Sequence, residues 1–335
     1  MPAQRMLVLT IIDQGASSVS NFALAFLVAH HSGPRALGIF ALVTSTYVIT
    51  QGVVRSFSSN CLLTRPETDD AVMSHYERGG YLTAMLLSTL MAMGVLAVSL
   101  ALARDFALPF FIFGLSFPLM ALQDFSRYIG ISRHDPGYAI RLDVAWLVLF
   151  LVIYAFLHHK GLVSMPWLFG AWTVSGAAVG LTTLRTHLAR GLSRRVGFWL
   201  RSERAVGLRF AGQFLVASIT NYIVFYLLVL FVISVAAVGT IKLALLSVGP
   251  VTVMSTGIQS ALIPLASKRF RRDRQGALRL LFLAGFGMAL ATASWAALMY
   301  FAPVHLLRGY LGPTWPLARQ LIPLGGLSVT LMAVA

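Results

Sequence analysis

The sequence predicts an all-α polytopic membrane bundle of about ten transmembrane helices, and three observations carry that expectation. Apolar residues make up 58% of the 335 and charged residues only 11%, less than half the share with which a soluble domain solvates its surface. The apolar residues fall in runs near the length that crosses a hydrocarbon core, about 20 residues. Basic residues alternate from loop to loop as a membrane topology requires. The same composition excludes intrinsic disorder, which needs few apolar residues and many charges. A single cysteine, Cys61, excludes a disulfide framework and any multi-cysteine metal centre.

With Gly, Pro and charge as punctuation, the spans lie near 6–30, 36–55, 79–102, 106–123, 139–158, 162–184, 210–234, 240–264, 278–301 and 319–335. The first is no cleaved signal peptide: it is long, carries Asp13 and Asn21, and lacks a clear small-residue cleavage site. With the N-terminus cytoplasmic, the inner loops and ends hold 20 Lys and Arg and the outer ones 6, the bias that orients membrane helices. The formal charge of +15 therefore belongs to a face that meets anionic lipid, and nucleic acid is not the expected partner. Residues 185–209 set Leu192, Val196, Trp199 and Leu200 among arginines, the spacing of an interfacial helix on the inner leaflet. Gly176-Ala-Ala-Val-Gly180 has the small-xxx-small spacing of a close helix contact. Pro118, Gly249-Pro250 and Pro264 predict kinks or breaks in the fourth and eighth spans.

An internal duplication runs through this pattern. Ser18-Val-Ser-Asn-Phe22 matches Ser218-Ile-Thr-Asn-Tyr222, Ala36-Leu-Gly38 matches Ala237-Val-Gly239, and Asp13 falls opposite Gln213. Asp13, Ser20 and Asn21, and again Gln213, Thr220 and Asn221, follow an i, i+7, i+8 spacing that makes one polar stripe on each apolar helix. Both copies start on the cytoplasmic side, so the repeat is parallel. It predicts an N-terminal six-helix lobe (1–184), a basic linker with an interfacial helix (185–209) and an incomplete C-terminal lobe of four helices (210–335). Beside a six-span first half, the second half is expected to be at least two helices short, as in a C-terminally truncated transporter.

The run Asp13-Gln-Gly-Ala-Ser-Ser-Val-Ser-Asn-Phe22, with Gly33-Pro34 and Leu37-Gly38 after it, resembles the opening of bacterial polysaccharide-export flippases. These form the O-antigen/teichoic-acid group of the multidrug/oligosaccharidyl-lipid/polysaccharide (MOP) superfamily. Gln123-Asp-Phe-Ser-Arg-Tyr128, Arg141-Leu-Asp-Val-Ala-Trp146, Ala237-Val-Gly239, Gly249-Pro250 and Leu262-Ile-Pro264 extend the resemblance over nearly all of 6–275. Members usually have more spans than the ten expected here. The resemblance implies a bacterial plasma-membrane flippase that carries an undecaprenyl-pyrophosphate-linked glycan from the inner to the outer leaflet by alternating access.

A flippase needs a hydrated cavity for a polar headgroup. The stripes Asp13, Ser20, Asn21 and Gln213, Thr220, Asn221 supply such a lining if they face one another. Asp13 either couples transport to protons or Na⁺, binds sugar hydroxyls, or sits hydrated at the inner interface beside Arg5; no other cofactor is expected. Arg55, Arg209 and Lys242 suit a pyrophosphate, or else snorkel to the headgroup level. Asp124 and Arg127, at i, i+3, predict a local ion pair at the inner end of the fourth span, whereas Arg141 and Asp143 point to different faces. Phosphate-loop, zinc-protease and nucleophile-elbow motifs are absent from the sequence, and the adjacent pair His158-His159 suits no single metal, so the protein is not expected to be an enzyme. Two other readings stay open: a cation-coupled small-molecule or drug exporter, and a non-transporting scaffold beside a polysaccharide polymerase.

Overall fold

The computed structural model describes residues 18–64, 70–133, 135–189, 196–218, 222–231, 234–251 and 273–327. Among them every regular element is a helix. In chain order these are α1 (18–31), α2 (Pro34–Phe57), α3 (Ser59–Leu63), α4 (Asp70–Ala101), α5 (Arg104–Ser132), α6 (Pro136–His159) and α7 (Met165–Ala189). They are followed by α8 (Val196–Ser218), α9 (Val224–Phe231), α10 (Val235–Ser247), α11 (Arg274–Phe301), α12 (Val304–Leu311) and α13 (Trp315–Arg319).

Six helices are long and apolar enough to cross a membrane: Pro34–Phe57, Asp70–Ala101, Arg104–Ser132, Pro136–His159, Met165–Thr186 and Arg274–Phe301. They coincide with six of the ten expected spans. The other four, at 6–30, 210–234, 240–264 and 319–335, each run partly outside the described residues. Where they are described, these stretches are helical, in α1, in α8 with α9, in α10 and in α13. Large apolar side chains stand outward on the long helices, Leu90 of α4 and Phe282 of α11 among them, as a hydrocarbon solvent permits. Several hydroxyls on α2 are satisfied locally. Ser45, Thr50, Ser56 and Ser58 of α2 and its end each donate to the carbonyl four residues back, so they add no unmet polar group to an apolar environment.

Two expected span ends are displaced, for one physical reason. The fourth span was expected to stop at 123, before Asp124 and Arg127, but α5 continues to Ser132 and buries both residues. The third was expected to start at 79, yet α4 begins at Asp70 and buries Glu77. In each case a charge on another helix or at a helix end neutralises the intruding one. Helix α5 continues through Pro109 and Pro118, so neither ends it, and Pro264 lies outside the described residues.

The described residues pack as two units, one within Ile39–Ser234 and one drawn from Ala3–Gly38 with Val235–Ala335. This division by packing differs from the sequence division at 184 and 209. In the first unit α5 is central, packed against α3, α4, α6 and α7. The indole of Trp146 (α6) donates to Trp172 O (α7) at 2.8 Å, and Tyr47 (α2) sets its ring edge-on to Trp172 and Phe113. The small-residue spacing on α7 does what its pattern predicts. A Cβ at Gly176 would strike the Trp146 indole, and one at Gly180 would collide with the backbone carbonyl of Leu119 on α5.

Helices α8 and α9 belong to this same unit because their side chains are anchored there. Trp199 is fully buried, and its indole donates to Phe57 O at 2.9 Å. The Tyr226 hydroxyl donates to Leu42 O at 2.7 Å and meets Thr46. The stretch expected to be interfacial thus contributes its tryptophan to a protein core. Helix α8 also continues through residue 209 to Ser218, with no break where the linker was expected to end.

In the second unit the two copies of the Ala-x-Gly motif meet. A Cβ at Gly38 would overlap the carbonyl oxygen of Val235, and one at Gly239 would overlap that of Pro34. Helices α2 and α10 therefore cross backbone to backbone at their N-terminal turns, each glycine facing the first residue of the other helix. Trp295 (α11) donates to Ser247 O at 2.8 Å and ties α11 to α10.

These contacts predict a contrast between glycines. Gly180→Ala should lower the thermal midpoint in detergent, at a cost of about 1–3 kcal/mol from overpacking. Gly94→Ala, with open space around it, should be neutral or stabilising by up to about 1 kcal/mol.

Candidate functional site

The polar residues of α2, α5 and α6 converge within the first unit. Helical spacing puts Tyr47, Gln51 and Arg55 on one face of α2, and Gln123, Asp124, Arg127 and Tyr128 within about a turn and a half of α5. Asp124 accepts from Gln51 Nε2 at 2.6 Å and from Arg55 through Nε at 2.7 Å and Nη2 at 2.6 Å. The two Arg55 bonds form the forked geometry of a strong guanidinium–carboxylate pair. Arg127 Nη1 lies 3.4 Å from Asp124 Oδ1, and its Nε lies 3.0 Å from Asp143 Oδ2 on α6. Gln123 Nε2 donates to Asp143 Oδ1 at 3.1 Å. The result is a chain of alternating charge across three helices: Arg55, Asp124, Arg127, Asp143.

Burial along this chain is uneven. The side chains of Asp124, Arg127 and Asp143 are 4, 7 and 2% exposed, while that of Arg55 is 34% exposed. Arg55 also lies over the Tyr128 ring, 5.6 Å from its centroid. The network is neutral in sum, its carboxylates are sealed, and its accessible end is a cation.

A second pair stands apart from it. Glu77 (α4) accepts from Arg133 through Nε at 2.5 Å and Nη2 at 2.8 Å. Hydrogen bonding to Glu77 raises the pKa of Arg133, which keeps the guanidinium charged. Arg141 pairs loosely with Asp135 at 3.7 Å on the surface, leaving Asp143 to Arg127, as the different faces of Arg141 and Asp143 predict. Cys61 is buried, and its thiol donates to Ser56 O.

Of the residues expected to line a cavity, Arg55 is the one that joins this network. Arg209 and Gln213 are exposed on α8 in the first unit. In the second unit Ser20 is buried and Asn21 exposed on α1, and Lys242 is half-buried on α10. Asp13, Thr220 and Asn221 lie outside the described residues. Sequence reasoning found the Asp124–Arg127 pair but missed the tighter Arg55–Asp124 pair, the Arg127–Asp143 pair and both glutamines. The available signal was the presence of Gln51, Arg55 and Asp143 inside apolar helices, where an ionisable residue requires a partner.

These features define a multi-pass helical membrane fold with an ion network inside one unit. No family model matches the chain, and no curated protein matches it. A solved structure does: an inward-facing conformation of a multidrug resistance MATE family transporter of the MOP superfamily. It is 12% identical, with a TM-score of 0.64, and the match covers 95% of this chain and 81% of that one. The chain therefore has the fold of that transporter. That transporter belongs to the superfamily whose members the sequence motifs resemble; the match shows the fold alone.

The network predicts a double-mutant result. Arg127→Gln removes the cation beside the buried Asp143 carboxylate and should cost about 3–5 kcal/mol. Adding Asp143→Asn should restore most of that loss, because the two charges then leave together. Denaturant unfolding in detergent of the two single variants and the double variant measures the coupling.

Proposed function

We propose that the protein translocates a polyprenyl-pyrophosphate-linked oligosaccharide from the inner to the outer leaflet of a bacterial plasma membrane, by alternating access. The observation that carries this reading is the asymmetry of the ion network: its two carboxylates are shut in, and its partly exposed member is Arg55, whose side chain is 34% exposed. An accessible cation suits an anionic headgroup. A substrate cation would instead need an accessible carboxylate. The MOP-superfamily fold and the flippase-like motifs point the same way. In this reading the N-terminus is cytoplasmic, the polar stripes line the path of the glycan, and a polysaccharide polymerase is the natural downstream partner. The repeat lobes are the parts that move.

One observation favours a second reading: the similar solved structure is of a multidrug resistance transporter. A drug exporter coupled to protons or Na⁺ would use Asp13 as its coupling acid.

Deleting the gene separates the two. Glycan export predicts lipid-linked glycan held on the cytoplasmic leaflet and loss of surface polysaccharide; intact glycan with raised drug sensitivity would instead support export of drugs. Within either transport reading, Asp13→Ala, Asn21→Ala and Asn221→Ala should each lower transport at unchanged expression. Normal transport by all three variants would remove the stripes from the site.

A further inference from the structure

Asp124 is where two ion pairs meet. Arg55 occupies both of its oxygens, and Arg127 waits 3.4 Å from Oδ1 while lying 3.0 Å from Asp143. Arg127 thus stands between two carboxylates and is nearer to Asp143. Gln51 bonds Asp124 independently of Arg55. Gln51 Oε1 and Gln123 Oε1, both buried, accept no hydrogen bond from the described residues. In a medium of low polarity, a carboxylate that loses its only cation must take up a proton or bear a heavy desolvation cost. Asp124 has a second cation in reach.

We infer that Arg127 is a positioning residue that lets Asp124 release Arg55. When an anionic headgroup draws the Arg55 guanidinium away, Arg127 stays bridged between Asp124 and Asp143 and shares its charge with both, and no proton is taken up. The inference rests on the reading of Arg55 as the cation that meets the headgroup. It adds that headgroup capture is a cation exchange inside the first unit, separate from any proton or Na⁺ step.

The groups around Asp124 are accounted for helix by helix. Tyr47, Gln51 and Arg55 face it from α2, Arg127 and Tyr128 from α5, and Asp143 from α6. Tyr222 brings a phenol toward Arg55. On α4, Glu77 is held by Arg133; on α3, Cys61 donates to Ser56 O. Residues 165–184 of α7 hold no titratable side chain. On α8, Glu203 is buried and Arg209 exposed, and the Tyr226 hydroxyl of α9 is bonded to Leu42 O.

The test is binding of farnesyl pyrophosphate to the whole chain in lipid nanodiscs, at about pH 7 and about pH 8.5, above the carboxylate range. The proteins are the wild type, Arg55→Gln, and the double variant Arg127→Gln with Asp143→Asn, which leaves no stranded carboxylate. Arg55→Gln should weaken binding at both pH values. In the double variant Asp124 must take a proton whenever Arg55 leaves. Its Kd relative to wild type should therefore rise about tenfold for each pH unit, and the ratio cancels titration of the probe itself. A ratio that stays flat with pH, while Arg55→Gln still weakens binding, overturns the role of Arg127 and leaves the headgroup reading standing. Wild-type binding by Arg55→Gln, or none by the wild type, overturns the headgroup reading and this inference with it.

Discussion

A carboxylate placed among apolar helices cannot be left alone, and the first unit is arranged around that demand at Asp124. Removing such a charge from water costs more than most side-chain contacts return, so the partners must arrive together and in the right orientation. Gln51 and Arg55 bring one face of α2 to it. Arg127, one turn further along α5, carries the charge onward to Asp143 on α6. Three helices are thereby set in register to within a turn. The aromatic layer of Tyr47, Phe113, Trp146 and Trp172 packs beside the same faces, where a rotated helix would bring Asp124 and the rings into each other's place.

Much of the fold was legible because membrane helices obey two simple rules, apolar length and small-residue contact. The six long spans follow from the first, and the Gly176 and Gly180 contacts from the second. The ends of α4 and α5 were not legible, since a charge normally marks the end of a span and here Glu77, Asp124 and Arg127 are inside helices. Whether a charge ends a helix depends on a partner from elsewhere in the chain. Arg133 lies 56 residues from Glu77, and Arg55 69 residues from Asp124. The site was legible to the same degree. Arg55 stood out as a cation suited to phosphate, and Asp124 with Arg127 as an i, i+3 pair, but joining the two required tertiary structure. Trp199 is the opposite case. Its amphipathic setting suggested a lipid surface, yet the glycine-lined face of α4, with Gly79 and Gly80 against its ring, receives the indole instead.

The crossing of α2 and α10 has the form of an isologous contact: Gly38 meets Val235, and Gly239 meets Pro34, each glycine against the counterpart of the other's neighbour. Two identical chains related by a two-fold axis make contacts of this kind, and a change in their one gene alters both sides at once. Held within a single polypeptide, the same crossing has two independent codons. A bulkier residue at one glycine can then be answered by a shift near the other, and the symmetry of the joint can drift without the joint being lost.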